Sequence, residues 1–226
     1  NIDPVYLEKS RAFDPENRYS VPYTWGTVGI IYNTKKLEEL GVPAPTKWSD
    51  LWDERLKGEI LMQDSVRDAF MVALKALGYS MNTTDKGELE EAKKLLLAQK
   101  PLVQAYVVDQ VRDKMLNGEA AVGVIYSGEL LYLQEEAETL NLDYDLEYVI
   151  PEEGTNIWID SWVKHFEYIT YATPNKAAFE ILDPEYQENK AVFPDTDKLK
   201  NSEVYSYLGT EADDLYNALW NEVKSQ

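Results

Sequence analysis

The sequence predicts an α/β protein, and three observations lead there. Short apolar runs of strand length alternate with longer stretches of helical period along most of the chain. Cap and turn residues, among them Asn33-Thr34, Gly41, Gly58, Ser65, Gly78, Gly118 and Gly128, fall where the period changes. Alternation of this kind covers a sheet with helices rather than packing sheet on sheet.

The elements follow in order. After an extended opening, VPYTWGTVGIIYN (21–33) reads as a β segment bent at Gly26 and Gly29. Asn33-Thr34 starts a helix that Gly41 stops. SDLWDERLKG is expected to be a helix capped by Ser49 and closed by Gly58, and EILMQ a short buried strand. Val66, Ala69, Phe70, Ala73, Leu74 and Leu77 share a helical face that ends at Gly78. A charged helix follows over about 85–100, with Glu90 and Lys94 as an i,i+4 pair. LVQAYVV, a helix from Asp109 to Gly118, AAVGVIY, the helix GELLYLQEEAETL, DLEYVI and NIWIDSWV come next. The chain ends in a helix opened by Thr210 that keeps Ala212, Leu215, Tyr216, Leu219 and Val223 on one face.

Composition narrows the function. Of 226 residues, 22 are basic and 41 acidic, a net charge of −19. That surface repels phosphate backbones and anionic substrates and attracts cations, so a nucleic-acid partner is not expected. No cysteine and a single histidine, His165, exclude thiol catalysis, disulfides and thiolate or multi-histidine metal sites. No G-x-S-x-G elbow is present, and neither a metal nor a cofactor is expected. The 6 Trp and 16 Tyr far outnumber the 5 Phe, and these two residue types favour ligand surfaces because each ring carries a polar handle.

Ligands of α/β sheets sit at the carboxyl ends of strands, which singles out Asp64-Ser65 after EILMQ and Tyr126-Ser127 after AAVGVI. Ser65 is a helix cap, with Asp68 three residues on as a capping-box partner or as a carboxylate facing a cleft. Tyr126 either shields the sheet edge or walls a pocket. NIWIDSWV (156–163), as a strand, sets Asp160 between Trp158 and Trp162 on one face, about 7 Å from each. An organic ammonium would use each of these side chains: its charge pairs with the carboxylate and its methylenes lie on the indoles. A good cation–π contact contributes about 0.5–2 kcal/mol. Paired carboxylates among aromatic rings also describe glycoside hydrolases, with an acid and a base from Asp64, Asp68 and Asp160. A binding protein for some other small cation is a third reading.

VPYTWGTVGIIYN, MQDSVRDAF, GVIYSGE, the run from PEEG through IWIDSW, and YATPNKAA occur in this order over nearly the whole chain. In them the chain resembles the polyamine-binding (spermidine/putrescine) components of ABC transporters. The resemblance implies a two-lobe fold of the type II periplasmic-binding-protein kind, joined by a hinge. It implies no catalysis, but capture of a polyamine and delivery to the permease and ATPase subunits of an importer. The protein would be a monomer in the periplasm, or lipid-anchored at the outer face of the membrane. The lobes would comprise 1–28 with 157–182, and 29–156 with 183–226.

The resemblance also assigns the site. Trp158 and Asp160 hold the diamine, Tyr126 and Tyr171 add aromatic walls, and Asp68 replaces a family glutamate that binds an ammonium. Ser65 stands where other members have a second acid, for which Asp64 is the candidate substitute. Tyr205 stands where some members have a glutamine, and Trp25 is expected to pack at the hinge. Two departures stand out. Family members begin with a further segment that carries the first strands of the first lobe and several aromatic contacts, so the fold is expected to be incomplete here. They also continue from WIDSWV into a P-x-x-A-x-N turn and a full helix, whereas here KHFEYITY follows directly, so Val163 and Lys164 are not expected to be true neighbours.

Overall fold

A computed structural model describes residues 2–12, 14–16, 22–161, 172–180, 182 and 184–225. Six strands carry it: β1 (Pro22–Asn33), β2 (Ile60–Gln63), β3 (Val103–Val107), β4 (Val122–Tyr126), β5 (Leu146–Val149) and β6 (Ile157–Ser161). The main sheet has the order β3-β2-β4-β1-β5. β2 lies parallel to β3 and β4, whereas β1 runs antiparallel to β4 and β5. The carboxyl ends of β2 and β4 therefore open on the same edge.

The helices are α1 (Pro4–Ser10), α2 (Thr34–Leu40), α3 (Val66–Ala76), α4 (Lys86–Gln99), α5 (Gln110–Leu116), α6 (Glu129–Thr139), α7 (Lys176–Glu180), α8 (Pro184–Glu188) and α9 (Thr210–Ser225). They cover both faces of the sheet. On one face Val28, Ile30, Ile60 and Met62 meet Phe70, Met71 and Leu74 of α3, Leu96 of α4 and Tyr216 of α9. On the other, Ile31, Leu61 and Ile125 meet Val111 and Met115 of α5 and Leu130 and Leu133 of α6. Adjacent strand residues thus enter opposite cores, which is why these strands read as continuous apolar runs.

β1 belongs to two pairings. Its first half, Pro22 to Thr27, pairs with β6; its second half, Val28 to Asn33, pairs with β4 and β5. β1 is one strand from Pro22 to Asn33, and its partners change between Gly26 and Gly29. Each glycine leaves room for a ring: a Cβ on Gly26 would fall 2.3 Å from Trp158, and one on Gly29 equally close to Tyr148.

Three expectations need correction. The opening is helical, because Asp3 caps α1 by accepting the Val5 N–H at 3.0 Å and Pro4 supplies a preset first turn. SDLWDERLKG forms two short 3-10 turns, Trp48–Trp52 and Glu54–Leu56. Ser49 lies inside the first turn rather than capping it; Asp50 accepts the backbone N–H of Thr46 and Lys47, and Glu153 those of Trp48 and Ser49. Glu90 pairs with Lys93 at 2.8 Å rather than with Lys94, and Lys93 also reaches Glu222 on α9. The strand face of Trp162, with Val163, His165 and the ITY of ITYATPN, lies outside the described residues.

Candidate functional site

The site is assembled from the ends of three elements. β2 delivers Asp64 and Ser65 to the start of α3. The Ser65 hydroxyl accepts the Asp68 N–H at 3.4 Å and so caps the helix. With the cap made by that backbone group, the Asp68 carboxylate is turned to another use. Its Oδ2 accepts the Tyr126 hydroxyl at 3.2 Å, and its Oδ1 the Tyr205 hydroxyl at 2.9 Å. Tyr126 is delivered by the end of β4, next to Ser127, whose hydroxyl accepts from the Thr27 backbone.

Burial makes this cluster an electrostatic unit. Asp68 is only 4% exposed. Desolvation, then the Asp68 charge, pushes the Tyr126 phenol well above its ordinary value, and the same causes in the same order raise Tyr205. Both hydroxyls therefore stay protonated and remain donors at any physiological pH. Each phenol oxygen, polarised by the carboxylate behind it, keeps lone pairs for a cation in front.

β6 supplies the facing wall. Trp158 stands opposite Gly26 of β1, and its indole meets the Tyr126 ring edge-to-face, centroids 6.3 Å apart at 86°. Asp160, opposite Thr24, is exposed at the mouth. Ser65, Asp68, Tyr126, Trp158, Asp160 and Tyr205 line one groove of about 490 Å³. Asp64 does not. It stands nearly half exposed and is ion-paired at 2.8 Å with Lys224 of α9, so it cannot stand in for an acid at Ser65. Tyr171 lies outside the described residues. Trp25 is buried against Tyr6, centroids 4.6 Å apart, away from the groove.

Two groove residues were not anticipated. Arg67 stacks its guanidinium over Tyr205, 4.4 Å from the ring centre, and donates to Asn82 and to the carbonyls of Met81 and Ser206. It fixes the ring that Asp68 holds from the other side. Asn156 precedes β6 and lies at the floor of the groove. A larger cavity of about 570 Å³, between α6, β5 and α8, contains none of the expected site residues. Among the described residues no group of His, Cys, Asp or Glu is placed to hold a metal ion, and no helix is long and apolar enough to cross a membrane.

Gly26 carries a direct test of this wall. With Trp158 directly over it, Gly26→Ala must push the indole aside. We expect a lower melting temperature, from overpacking of about 1–3 kcal/mol, together with weakened ligand binding. A variant that melts and binds like the parent would mean that the indole is not fixed by β1.

An open groove with aromatic walls and acids, at the carboxyl edge of a helix-covered sheet, suits the capture of a solute without its conversion. The chain belongs to the bacterial extracellular solute-binding proteins: a sequence model of that family matches residues 1–191. It is similar to the spermidine/putrescine-binding periplasmic protein of Escherichia coli K12, with 33% identity over 100% of this chain and 68% of that one. The putrescine/cadaverine-binding protein of Pseudomonas aeruginosa is 30% identical over 97% of this chain and 69% of its own length. Among solved structures, the spermidine/putrescine ABC transporter substrate-binding protein PotD of Streptococcus pneumoniae aligns with a TM-score of 0.88 and 34% identity. That match covers 100% of this chain and 74% of the other. The alignment with the E. coli protein runs over 250 positions, more than the chain contains, so that relative has internal positions with no counterpart here.

Proposed function

We propose that this protein captures a polyamine, spermidine or putrescine, in the groove and hands it to the permease and ATPase of an ABC importer outside the cytoplasm. The observation that carries the reading is the pairing of acid and ring: Asp160 beside Trp158 on one wall, Asp68 behind Tyr126 and Tyr205 on the other. A polyamine alternates ammonium groups with methylenes, so it needs acids at the amines and flat apolar faces between them. Each ammonium must find a close hydrogen-bonded partner to offset the water it loses.

The division into lobes 1–28 with 157–182 and 29–156 with 183–226 is part of the same reading. It is supported by the change of partners along β1 at Thr27 and Val28. Closure of one lobe on the other would exclude water from the groove, and ligand shifts that equilibrium only as far as it prefers the closed state. Among the described residues the groove offers hydrolysis no second free acid. Asp68 is engaged by two phenols and Asp64 by Lys224, which disfavours the glycosidase reading, and the family itself is one of binding proteins. We take the protein to act as a monomer, which light scattering on a sizing column would check.

Titration calorimetry with putrescine, spermidine, leucine and glucose tests the assignment. Saturable binding of one or both polyamines alone is the expected outcome. Binding of the sugar or the neutral amino acid instead would overturn it.

A further inference from the structure

Asn156 is 3% exposed, yet its Oδ1 has no hydrogen-bond partner among the described residues. Buried amide oxygens are nearly always paired, because losing water without a replacement is costly. The backbone carbonyl of Asn156 and the residues on either side of it are held by hydrogen bonds. That carbonyl accepts the Val28 N–H at 3.3 Å. On either side of it, Ile157 N–H donates to the Glu203 carbonyl and Glu203 N–H to the Thr155 carbonyl at 2.8 Å. The Thr155 hydroxyl donates to the Val28 carbonyl at 2.6 Å. The backbone that carries the side chain is therefore fixed, and the side chain has an acceptor that the fold leaves open, on the lining of the groove that Asp160 and Trp158 also line.

We propose that Asn156 is a ligand residue: its Oδ1 accepts an N–H from a protonated primary amine of the bound cation. This rests on the polyamine reading and goes beyond it. The chemistry favours this donor. An alkylammonium has three N–H groups, and one carboxylate seldom satisfies all of them. A further carboxylate would add a desolvation cost, whereas a neutral amide oxygen takes a proton of the third bond without adding charge. Alternation along the chain supports the placement, since residues 156, 158 and 160 share parity and so project to the same side. Asn156, Trp158 and Asp160 then form one recognition edge: neutral acceptor, ring, carboxylate. The acceptor selects for N–H donors, so it adds to the preference that the carboxylate already has for a primary amine over a quaternary ammonium of equal charge.

The test is calorimetry with putrescine on the parent and on Asn156→Leu and Asn156→Ala, with thermal melting of the ligand-free proteins alongside. Leu has a similar size and removes the unpaired oxygen, so the ligand-free Leu variant should melt no lower than the parent. Its affinity for putrescine should fall on the order of 10- to 100-fold, as for loss of a hydrogen bond to a charged group. In the unsubstituted protein, the Asn156 side-chain carbonyl carbon resonance should move on saturation with putrescine, a readout that needs no variant. Folded variants that bind like the parent, or a resonance that stays in place, would overturn the proposal while leaving polyamine capture intact. Failure of the parent to bind any polyamine would overturn both.

Discussion

Asp160→Ala is expected to abolish polyamine binding and leave the melting temperature unchanged. The stability half follows from position: Asp160 is exposed, and its strand pairing with Thr24 is made by the backbone, which the substitution preserves. The binding half follows from magnitudes. Once lobe closure has excluded water from the groove, removing one partner of the desolvated ion pair costs about 3–5 kcal/mol, because the remaining charge is left buried and unpaired. At about 1.4 kcal/mol per tenfold, affinity falls by two to three orders of magnitude. The indole of Trp158 cannot make up that loss, since a cation–π contact contributes only about 0.5–2 kcal/mol. Titration calorimetry with putrescine and a thermal melt of the same sample check both halves. Unchanged affinity would remove Asp160 from the site, and a large drop in melting temperature would make it a structural residue instead.

What the sequence made legible was whatever local spacing encodes. The alternation in NIWIDS put Trp158 and Asp160 on one side, and β6 carries both to the groove. The same rule extends one step back to Asn156, whose place on that side is encoded in the same alternation. Strand ends followed by caps located Ser65 and Tyr126. The helix at Pro4 was equally readable, from an aspartate followed by proline. Asp64 was misplaced for a different reason. Its place at a strand end matches a site residue, and it is Lys224, 160 positions away on α9, that engages it instead. Arg67 and the hold of Tyr205 on Asp68 had no local signature at all. They depend on the segment from Glu203 to Ser206 returning beside α3, where Glu203 is fixed by Lys75 and Ser80 and by the backbone of Met81. Contacts of that kind become visible only when the chain is folded.

Asp68 separates scaffold from charge, and two substitutions there are expected to give different results. Asp68→Ala leaves the Ser65 cap in place, since that bond uses the backbone N–H of residue 68. It strips the acceptor from the hydroxyls of Tyr126 and Tyr205, both pointed inward. Each orphaned polar group costs about 1–3 kcal/mol, so stability should fall by about 2 kcal/mol or more and affinity with it. Asp68→Asn keeps the shape and an acceptor oxygen, and a phenol can rotate to accept from the new amide. That variant should melt near the parent, because most of the packing survives. It should nevertheless bind a dication on the order of tenfold more weakly, having lost the negative charge behind the two phenol oxygens. The effect is smaller than at Asp160 because the carboxylate acts through those hydroxyls rather than at the mouth of the groove. An independent readout follows from the same electrostatics. The Asp68 charge helps hold both phenols above their ordinary range, so in Asp68→Asn their ionisation in an ultraviolet titration should move to lower pH. If Asp68→Asn ionises its tyrosines earlier yet binds putrescine as tightly as the parent, the carboxylate serves only to hold the two rings, and Asp160 alone carries the charge recognition.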